Sequence, residues 1–279
     1  MLEGRLANRV ALISGAARGQ GRAHAVRLAS EGCDIIAFDL PGPTEWLPYE
    51  LATADDLAET VRLVEQQGRR IVAGQADVRD AASVRAIVDR GIAELGPVNI
   101  VVANAGIASK GAVFWKIPDE QWTDVVDVNL NGVWRTVKAA VPSMLEAGKG
   151  GSIILIASAA AVRGANGITD YTSAKMGLLG MMRSMARELA KFEIRVNVIM
   201  PGNVNTDLIH NEAMYRQFRP ELENPTAADV EPLFRRTMLL PHPWAEVDDI
   251  SNAVAFLASD EARYITAVEL PVDLGGTLK

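Results

Sequence analysis

Short apolar runs alternate with helical segments along almost the whole chain. Strands that alternate with helices in this way form a parallel sheet with crossover helices on both faces, which is the α/β architecture. In such a doubly wound sheet, a ligand lies beyond the carboxyl ends of the strands, where the strand order reverses. The predicted strands are Arg9–Ser14, Asp34–Asp39, Arg70–Gln75, Asn99–Ala103, Ser152–Ala157, Arg195–Ile199 and Val268–Val272.

The length and composition are those of one globular unit. A chain of 279 residues exceeds the usual domain size, but doubly wound sheets reach it as a single domain, which we expect over residues 1–279. The net charge of −7 argues against a nucleic-acid partner or an anionic membrane surface. The longest apolar run, Ile153–Val162, is shorter than the ~20 residues of a membrane span. The charged amino terminus does not resemble a secretory signal, so we expect a soluble cytoplasmic protein.

Cysteine and histidine positions predict neither a disulfide nor a metal site. Cys33 is the only cysteine, and its place before a strand predicts a small buried side chain. His24, His210 and His242 are too scattered for a metal site, and neither a His-Glu-x-x-His nor a Cys-x-x-Cys motif occurs. We therefore expect no metal.

The amino-terminal strand leads directly into a glycine-rich turn. Gly15-Ala-Ala-Arg-Gly-Gln-Gly21 separates this strand from a helical pattern over Ala23–Ser30. Glycines let the backbone approach a pyrophosphate, and the unpaired N–H groups of the helix start face it. The spacing differs from the commoner Gly-x-Gly-x-x-Gly, and such a triplet alone is a weak signal.

An acidic residue after the second strand predicts which dinucleotide binds. Asp39 follows Gly21 by eighteen residues, where a carboxylate can accept hydrogen bonds from the adenosine ribose hydroxyls. The same carboxylate would repel a 2′-phosphate, which favours NAD over NADP. Arg18 argues in the other direction because it could pair with that phosphate, although it could also be a solvated loop charge. We give Asp39 more weight than Arg18 and therefore predict NAD as the cofactor.

Tyr171 and Lys175 are four residues apart, so a helix would place them on one face, and Ser158 ends an apolar run thirteen residues before Tyr171. A tyrosine with a pKa near 10 needs about 3 to 4 kcal/mol of phenolate stabilisation to exchange protons near neutrality. An ammonium 4 Å away supplies ~4 kcal/mol at an effective dielectric constant of about 20. Lys175 is therefore expected to lower the pKa of Tyr171. The alternative is an ordinary, partly exposed Tyr and Lys.

Together these residues resemble the short-chain dehydrogenase/reductase family over nearly the whole chain. The resemblance implies a single-domain, Rossmann-like, doubly wound parallel sheet with helices on both faces. It implies that Ser158, Tyr171 and Lys175 are catalytic, together with Asn129, which in the family distorts its helix and holds a water in a proton relay through the lysine. Asn131 is a nearby alternative, but the spacing to Gly132 favours Asn129.

Further family motifs imply the cofactor site. Asn104-Ala-Gly106 resembles the turn that braces the sheet, Asp77-Val78 the pair that contacts adenine, and Pro201-Gly-Asn-Val-Asn-Thr206 the segment whose Thr binds the nicotinamide carboxamide. The departures from the usual residues are Ser14 for Thr, Gln20 for Ile and Ala157 for Ser, and none removes a reacting group. The implied cofactor-binding residues are Gly15, Arg18, Gly19, Gln20, Gly21, Asp39, Leu40, Asp77, Val78, Asn104, Ala105, Gly106, Tyr171, Lys175, Pro201, Val204 and Thr206.

An insertion over residues 40–53 lies next to the expected position of the adenosine ribose. Together with 55–65, Arg79-Asp80 and 17–22, it resembles the mycofactocin-coupled subfamily, which includes carveol dehydrogenase. This resemblance implies an NAD that does not exchange freely and whose hydride passes to mycofactocin, a peptide-derived redox carrier. The alternative is a cover over adenine with no effect on exchange.

A second insertion, residues 207–246, follows Thr206 and should form a substrate lid over the nicotinamide. An apolar roof suits a small hydrophobic substrate. The alternative is that its apolar side chains pack the lid helices or a subunit contact, and Phe114 and Trp115 are similar candidates. The apolar lid residues are Ile209, Met214, Tyr215, Phe218, Leu222, Phe234, Met238, Leu240 and Trp244.

We therefore expect an NAD-dependent oxidation of a small hydrophobic secondary alcohol, such as a carveol-like terpenoid, or the reverse reduction of the ketone. Alternatives are an NADP-dependent carbonyl reductase and a non-catalytic NAD-binding sensor. An epimerase or dehydratase of the extended relatives is less favoured, since no additional carboxy-terminal substrate domain is present. The resemblance also implies a homotetramer in which the helices containing Asn129 and Tyr171 pair. The small residues Ala139, Ala140, Gly177 and Gly180 allow such packing, but they could equally serve the monomer core.

Overall fold

The computed structural model describes residues 4–40, 47, 49–108 and 110–279. Residues 41–46 and 48 of the insertion over 40–53 therefore lie outside the described residues. Its remaining members include Leu47, Tyr49 and Glu50.

The centre of the molecule is a parallel sheet of seven strands in the order β3-β2-β1-β4-β5-β6-β7. The chain begins in the middle, adds β2 and β3 on one side, and returns to add the other four strands on the opposite side. The order reverses between β1 and β4, which opens a crevice at their carboxyl ends. The strands are β1 Val10–Ser14, β2 Asp34–Asp39, β3 Ile71–Gln75, β4 Ile100–Ala103, β5 Gly151–Ile156, β6 Ile194–Pro201 and β7 Glu269–Val272.

Helices cover both faces of this sheet, so the predicted doubly wound α/β fold is confirmed. The first helix starts at Gly19, four residues earlier than its apolar pattern indicated, because the glycine turn itself forms the first helical turn. The helices are α1 Gly19–Ser30, α2 Ala54–Gln66, α3 Ala81–Leu95, α4 Asp119–Val126, α5 Gly132–Ala147, α6 Ala159–Arg163, α7 Thr169–Leu189, α8 Glu212–Phe218, α9 Ala227–Arg236 and α10 Val247–Ala258.

Two apolar cores explain why the strands are almost continuously hydrophobic. Side chains alternate between the two faces of a strand, so helices on both faces bury every position of a central strand such as β1 or β4. In β1, Leu12 belongs to the core that includes residues of α3, α5 and α7. Its neighbours Ala11 and Ile13 belong to the core that includes residues of α1 and α10. Cys33 is buried, as predicted.

Two of the small residues proposed for subunit packing belong to the monomer core. Ala139 and Ala140 are buried in the α3/α5/α7 core. Gly177 faces Leu130, whereas Gly180 faces open space. Within the described ranges, no helix is long and apolar enough to cross a membrane.

Candidate active site

The glycine turn packs so closely against the loop after β4 that side chains could not be accommodated. A Cβ on Gly21 would lie 1.9 Å from the Gly15 carbonyl oxygen, and Gly15 itself has a φ of +66°. Asn104 Nδ2 donates to the carbonyl oxygens of Ser14 and Gly15 at 3.1 and 3.0 Å. Ser14 Oγ accepts from the backbone N–H of Asn104 and Ala105. Asn104 thus joins β1 to β4 at the point where the strand order reverses.

Asp39 is held at the edge of this crevice by two backbone groups. Its Oδ2 accepts from Ala17 N and its Oδ1 from Leu40 N, both at 2.8 Å. Burial raises the pKa of Asp39 overall, although both hydrogen bonds lower it. Each carboxylate oxygen can accept a further hydrogen bond.

Arg18 connects the two insertions across the crevice. Its Nη1 lies 2.9 Å from Asp207 Oδ2 at the start of the second insertion. Its Nη2 donates to the carbonyl oxygen of Glu50 in the first. The guanidinium therefore has protein partners on both sides.

Arg79 occupies the crevice near the residues expected to contact adenine. It pairs with Asp77 at 2.8 Å and with Asp124 at 3.0 Å. Burial raises the pKa of Asp77, but its hydrogen bonds with Arg79 outweigh burial, and the net pKa is lowered. Arg79 and Asp124 line the crevice and were not among the predicted site residues.

Every predicted site residue lines one of two adjoining regions of this crevice. The nucleotide end includes the glycine turn, Asp39 and Asp77. The other region, called the catalytic end, includes the four predicted catalytic residues together with Pro201, Val204 and Thr206. The residues that line both ends are Gln20, Asn104, Gly106, Thr206 and Leu208.

The catalytic end brings together the three side chains that the sequence predicted to be reactive. Ser158 follows β5 and begins α6, where its Oγ accepts from Ala160 N at 3.1 Å. Tyr171 and Lys175 lie on successive turns of α7, with Lys175 Nζ 5.7 Å from the centre of the Tyr171 ring. Lys175 is only 3% exposed and donates to the Ile156 carbonyl oxygen at 2.8 Å.

The pKa of Tyr171 differs from the expectation. Burial raises the pKa of Tyr171 above 10, and a hydrogen bond with Ser158 lowers it only in part. Burial also lowers the pKa of Lys175 to about 8. The expected lowering by Lys175 is thus wrong for the protein alone, because desolvation disfavours both the phenolate and the ammonium.

Asn129 lies in a π-helical turn, Asp127–Asn131, between α4 and α5. Its Nδ2 donates to the carbonyl oxygens of Val125 and Ile107, and its Oδ1 accepts from Ile107 N. A Cβ on Gly106 would lie 2.7 Å from Asn129 Oδ1 and 3.2 Å from Lys175 Nζ. The helix distortion that the resemblance implies is therefore present, and Gly106 allows Asn129 and Lys175 to lie close together.

Comparisons with known proteins agree with this arrangement. A family profile described as Enoyl-(Acyl carrier protein) reductase matches residues 15–277. A putative short-chain type dehydrogenase/reductase of Mycolicibacterium smegmatis is 50% identical over 281 residues, covering 100% of both chains. The chain belongs to the short-chain dehydrogenase/reductase family.

Within the short-chain dehydrogenase/reductases, this chain is similar to carveol dehydrogenases. The (-)-trans-carveol dehydrogenase of Rhodococcus erythropolis is 50% identical over 275 residues, covering 99% of each chain. A crystal structure of carveol dehydrogenase from Mycobacterium avium in complex with NAD has a TM-score of 0.98 at 51% identity, covering 99% of this chain and 100% of that one. The resemblance to the short-chain dehydrogenase/reductase family and to carveol dehydrogenase is confirmed.

The second insertion of this short-chain dehydrogenase/reductase folds largely on itself. Ile209, Val230 and Phe234 form a small core, against which Met214, Tyr215 and Trp244 pack. Ile209 also lines the catalytic end, as does Leu208. Packing among the helices of this insertion thus accounts for several apolar residues that were considered for a pocket roof. Phe114 and Trp115 are 65% and 69% exposed and contact each other edge to face.

Tyr49 of the first insertion is a site residue that sequence reasoning did not identify. It lines the nucleotide end, and its hydroxyl oxygen accepts from Ala108 N at 2.9 Å in the loop after β4. Burial raises the pKa of Tyr49 to about 12, so it stays neutral at physiological pH. Only the presence of an insertion beside the ribose indicated that a residue from this segment would reach the crevice.

Proposed function

We propose that this protein is an NAD-dependent oxidoreductase that acts on the CH–OH group of a small hydrophobic secondary alcohol of terpenoid type. One observation carries the proposal. Ser158, Tyr171 and Lys175 open into the same crevice as the glycine turn and Asp39. The similarity to carveol dehydrogenases supports a cyclic terpenoid alcohol as the substrate class.

The nucleotide end fits NAD. The glycine turn and the first N–H groups of α1 suit a pyrophosphate. Each carboxylate oxygen of Asp39 accepts one backbone hydrogen bond and can accept another from a ribose hydroxyl, and the charge of Asp39 disfavours a 2′-phosphate. Arg18 forms an ion pair with Asp207 and a hydrogen bond with the Glu50 carbonyl oxygen, so its guanidinium does not need a phosphate partner. The solved carveol dehydrogenase contains NAD, which agrees with this choice.

The catalytic end fits proton transfer from an alcohol. When bound, NAD accepts the hydride from the carbinol carbon and adds the positive charge of its oxidised ring. Tyr171 takes the hydroxyl proton, while Ser158 holds the same oxygen through a hydrogen bond. Lys175, in its cationic form, stabilises the Tyr171 phenolate. Gly106 leaves room for Asn129 Oδ1 and Lys175 Nζ next to its backbone, and Lys175 is held by its hydrogen bond to the Ile156 carbonyl oxygen. In ketone reduction, Tyr171 returns the proton.

Replacement of Tyr171 by Phe tests this assignment. The variant keeps the ring and loses the proton, so turnover of carveol should fall by about two to four orders of magnitude while NAD affinity stays nearly unchanged. Tyr264→Phe is the matched control, because Tyr264 is 89% exposed. Turnover in Tyr171→Phe equal to that of the control would refute the proposed base.

We further propose that the two insertions retain the nucleotide, in agreement with the mycofactocin-linked interpretation. Tyr49 ties the first insertion to Ala108, and Arg18 ties both insertions together. Release of NAD then requires these contacts to open, so the hydride would pass to mycofactocin from a bound cofactor. Mass spectrometry of the gently purified protein should detect retained NAD. An empty site with rapid steady-state turnover of added NAD would argue for a conventional dehydrogenase.

The alternatives predict other results. A non-catalytic sensor would bind NAD and transfer no hydride from any secondary alcohol in a single turnover. An NADP-dependent carbonyl reductase would bind NADP more tightly than NAD.

We also propose that residues 1–279 form one domain with 207–246 as the substrate lid. The homotetramer stays a proposal, supported by the exposure of Trp134 on α5 and Met176 on α7 and testable by light scattering.

A further inference from the structure

Gln20 lies where the nucleotide end and the catalytic end of the crevice meet, since its side chain lines both. Its Oε1 atom is buried and has no hydrogen-bond partner among the residues that the structure describes. Buried acceptors in native proteins nearly always receive a hydrogen bond from protein, water or ligand. The amide oxygen of Gln20 therefore calls for a donor on whatever occupies the crevice.

The surroundings of Gln20 restrict which group that donor can be. A Cβ on Gly19 would lie 3.4 Å from Thr206 Cγ2, so the first turn of α1 packs against Thr206, directly before the second insertion. Val204 and Thr206 line the catalytic end together with Gln20. In a nicotinamide dinucleotide, the ionised pyrophosphate only accepts hydrogen bonds at neutral pH, so the donors are the ribose hydroxyls and the NH2 group of the carboxamide. The position of Gln20 beside Val204 and Thr206 favours the carboxamide. The carboxamide is also the group that family resemblance places against Thr206.

We propose that Gln20 Oε1 accepts a hydrogen bond from the NH2 group of the nicotinamide carboxamide and so acts as a positioning residue for the ring. This inference rests on the proposed use of NAD. An isoleucine, common at this position in the family, offers no acceptor. The glutamine of this chain therefore adds a polar contact to the face of the crevice that α1 forms.

A comparison of NAD with one analogue distinguishes a hydrogen bond to Gln20 from a general packing effect of its side chain. In 3-acetylpyridine adenine dinucleotide, a methyl ketone replaces the carboxamide, so the carbonyl remains and the NH2 donor is lost. Binding of each to nucleotide-free protein is measured by titration calorimetry. Gln20→Met, close in size but apolar, should weaken NAD binding about 3- to 10-fold and binding of the analogue less than about 2-fold. Gln75→Met, at the exposed last residue of β3, is the control and should change neither.

The possible outcomes distinguish this inference from the proposed function. Equal weakening of both dinucleotides, or unchanged NAD affinity, would overturn the role of Gln20 and leave NAD dependence intact. Failure of the unaltered protein to bind NAD would overturn both. Gln20→Ile repeats the test with the side chain common in the family, and it decides the question if Gln20→Met does not fold.

Discussion

Lys175 should reduce the stability of the nucleotide-free protein below pH 8. Its side chain is 3% exposed, and burial lowers its pKa from 10.5 to about 8. The folded pKa is below the unfolded one, so between pH 8 and 10.5 the unfolded chain binds a proton that the folded chain does not. The free energy of unfolding therefore rises with pH across this window. The shift of about 2.5 pK units corresponds to about 3 kcal/mol, which is the full penalty near pH 7.

Lys175→Met removes this titration. At pH 7 the variant should be more stable than the unaltered protein, because it lacks the buried charge. This advantage in the free energy of unfolding should shrink by about 2 to 3 kcal/mol between pH 7 and pH 10. The lost hydrogen bond to Ile156 offsets that advantage by about 1 kcal/mol at either pH. Urea unfolding of nucleotide-free proteins at several pH values measures the difference, with Lys149→Met, at an exposed position, as control. A difference between the proteins that is constant to within about 0.5 kcal/mol across this pH range would refute the reasoning.

Three further variants test the rest of the crevice. Asp39→Asn removes the charge that opposes a 2′-phosphate, so the preference for NAD over NADP should fall at least about 10-fold in binding titrations, and an unchanged preference would contradict the role of Asp39. Tyr49→Phe loses the hydrogen bond to Ala108, so bound NAD should exchange with labelled NAD about 2- to 10-fold faster than in the control Tyr264→Phe. Equal exchange rates would mean that this contact does not retain the nucleotide. Gly106→Ala places a methyl group 2.7 Å from Asn129 Oδ1, so carveol turnover should drop although circular dichroism shows the variant to be folded. Full turnover would show that the neighbouring groups can shift.

The fold was predictable because the two-sided burial of a doubly wound sheet leaves a strong local signal. Each strand from β1 to β7 coincides with an apolar run, and the ends agree within about two residues, as at β6, which extends to Pro201. The side chains on α7 were equally predictable, because helical spacing alone places Tyr171 and Lys175 on one face.

Other features depend on segments that are distant in sequence and meet only in the folded chain. Tyr49 bonds to Ala108 across 59 residues, and Arg18 joins Glu50 to Asp207. The apolar residues of the second insertion could equally line a pocket or pack against one another, and their spacing does not distinguish the two. Their positions in the fold favour internal packing for Met214 and Phe234.

The sequence by itself determined the positions of the strands, the glycine turn and the set of candidate reactive side chains, because these depend on local periodicity and short spacing. Only the tertiary structure decided the electrostatics of the site. Tyr171 and Lys175 are neighbours in both descriptions, yet burial shifts the pKa of each toward its neutral form. Desolvation is the sum of contributions from every element packed around a group, so no spacing within one helix can reveal it.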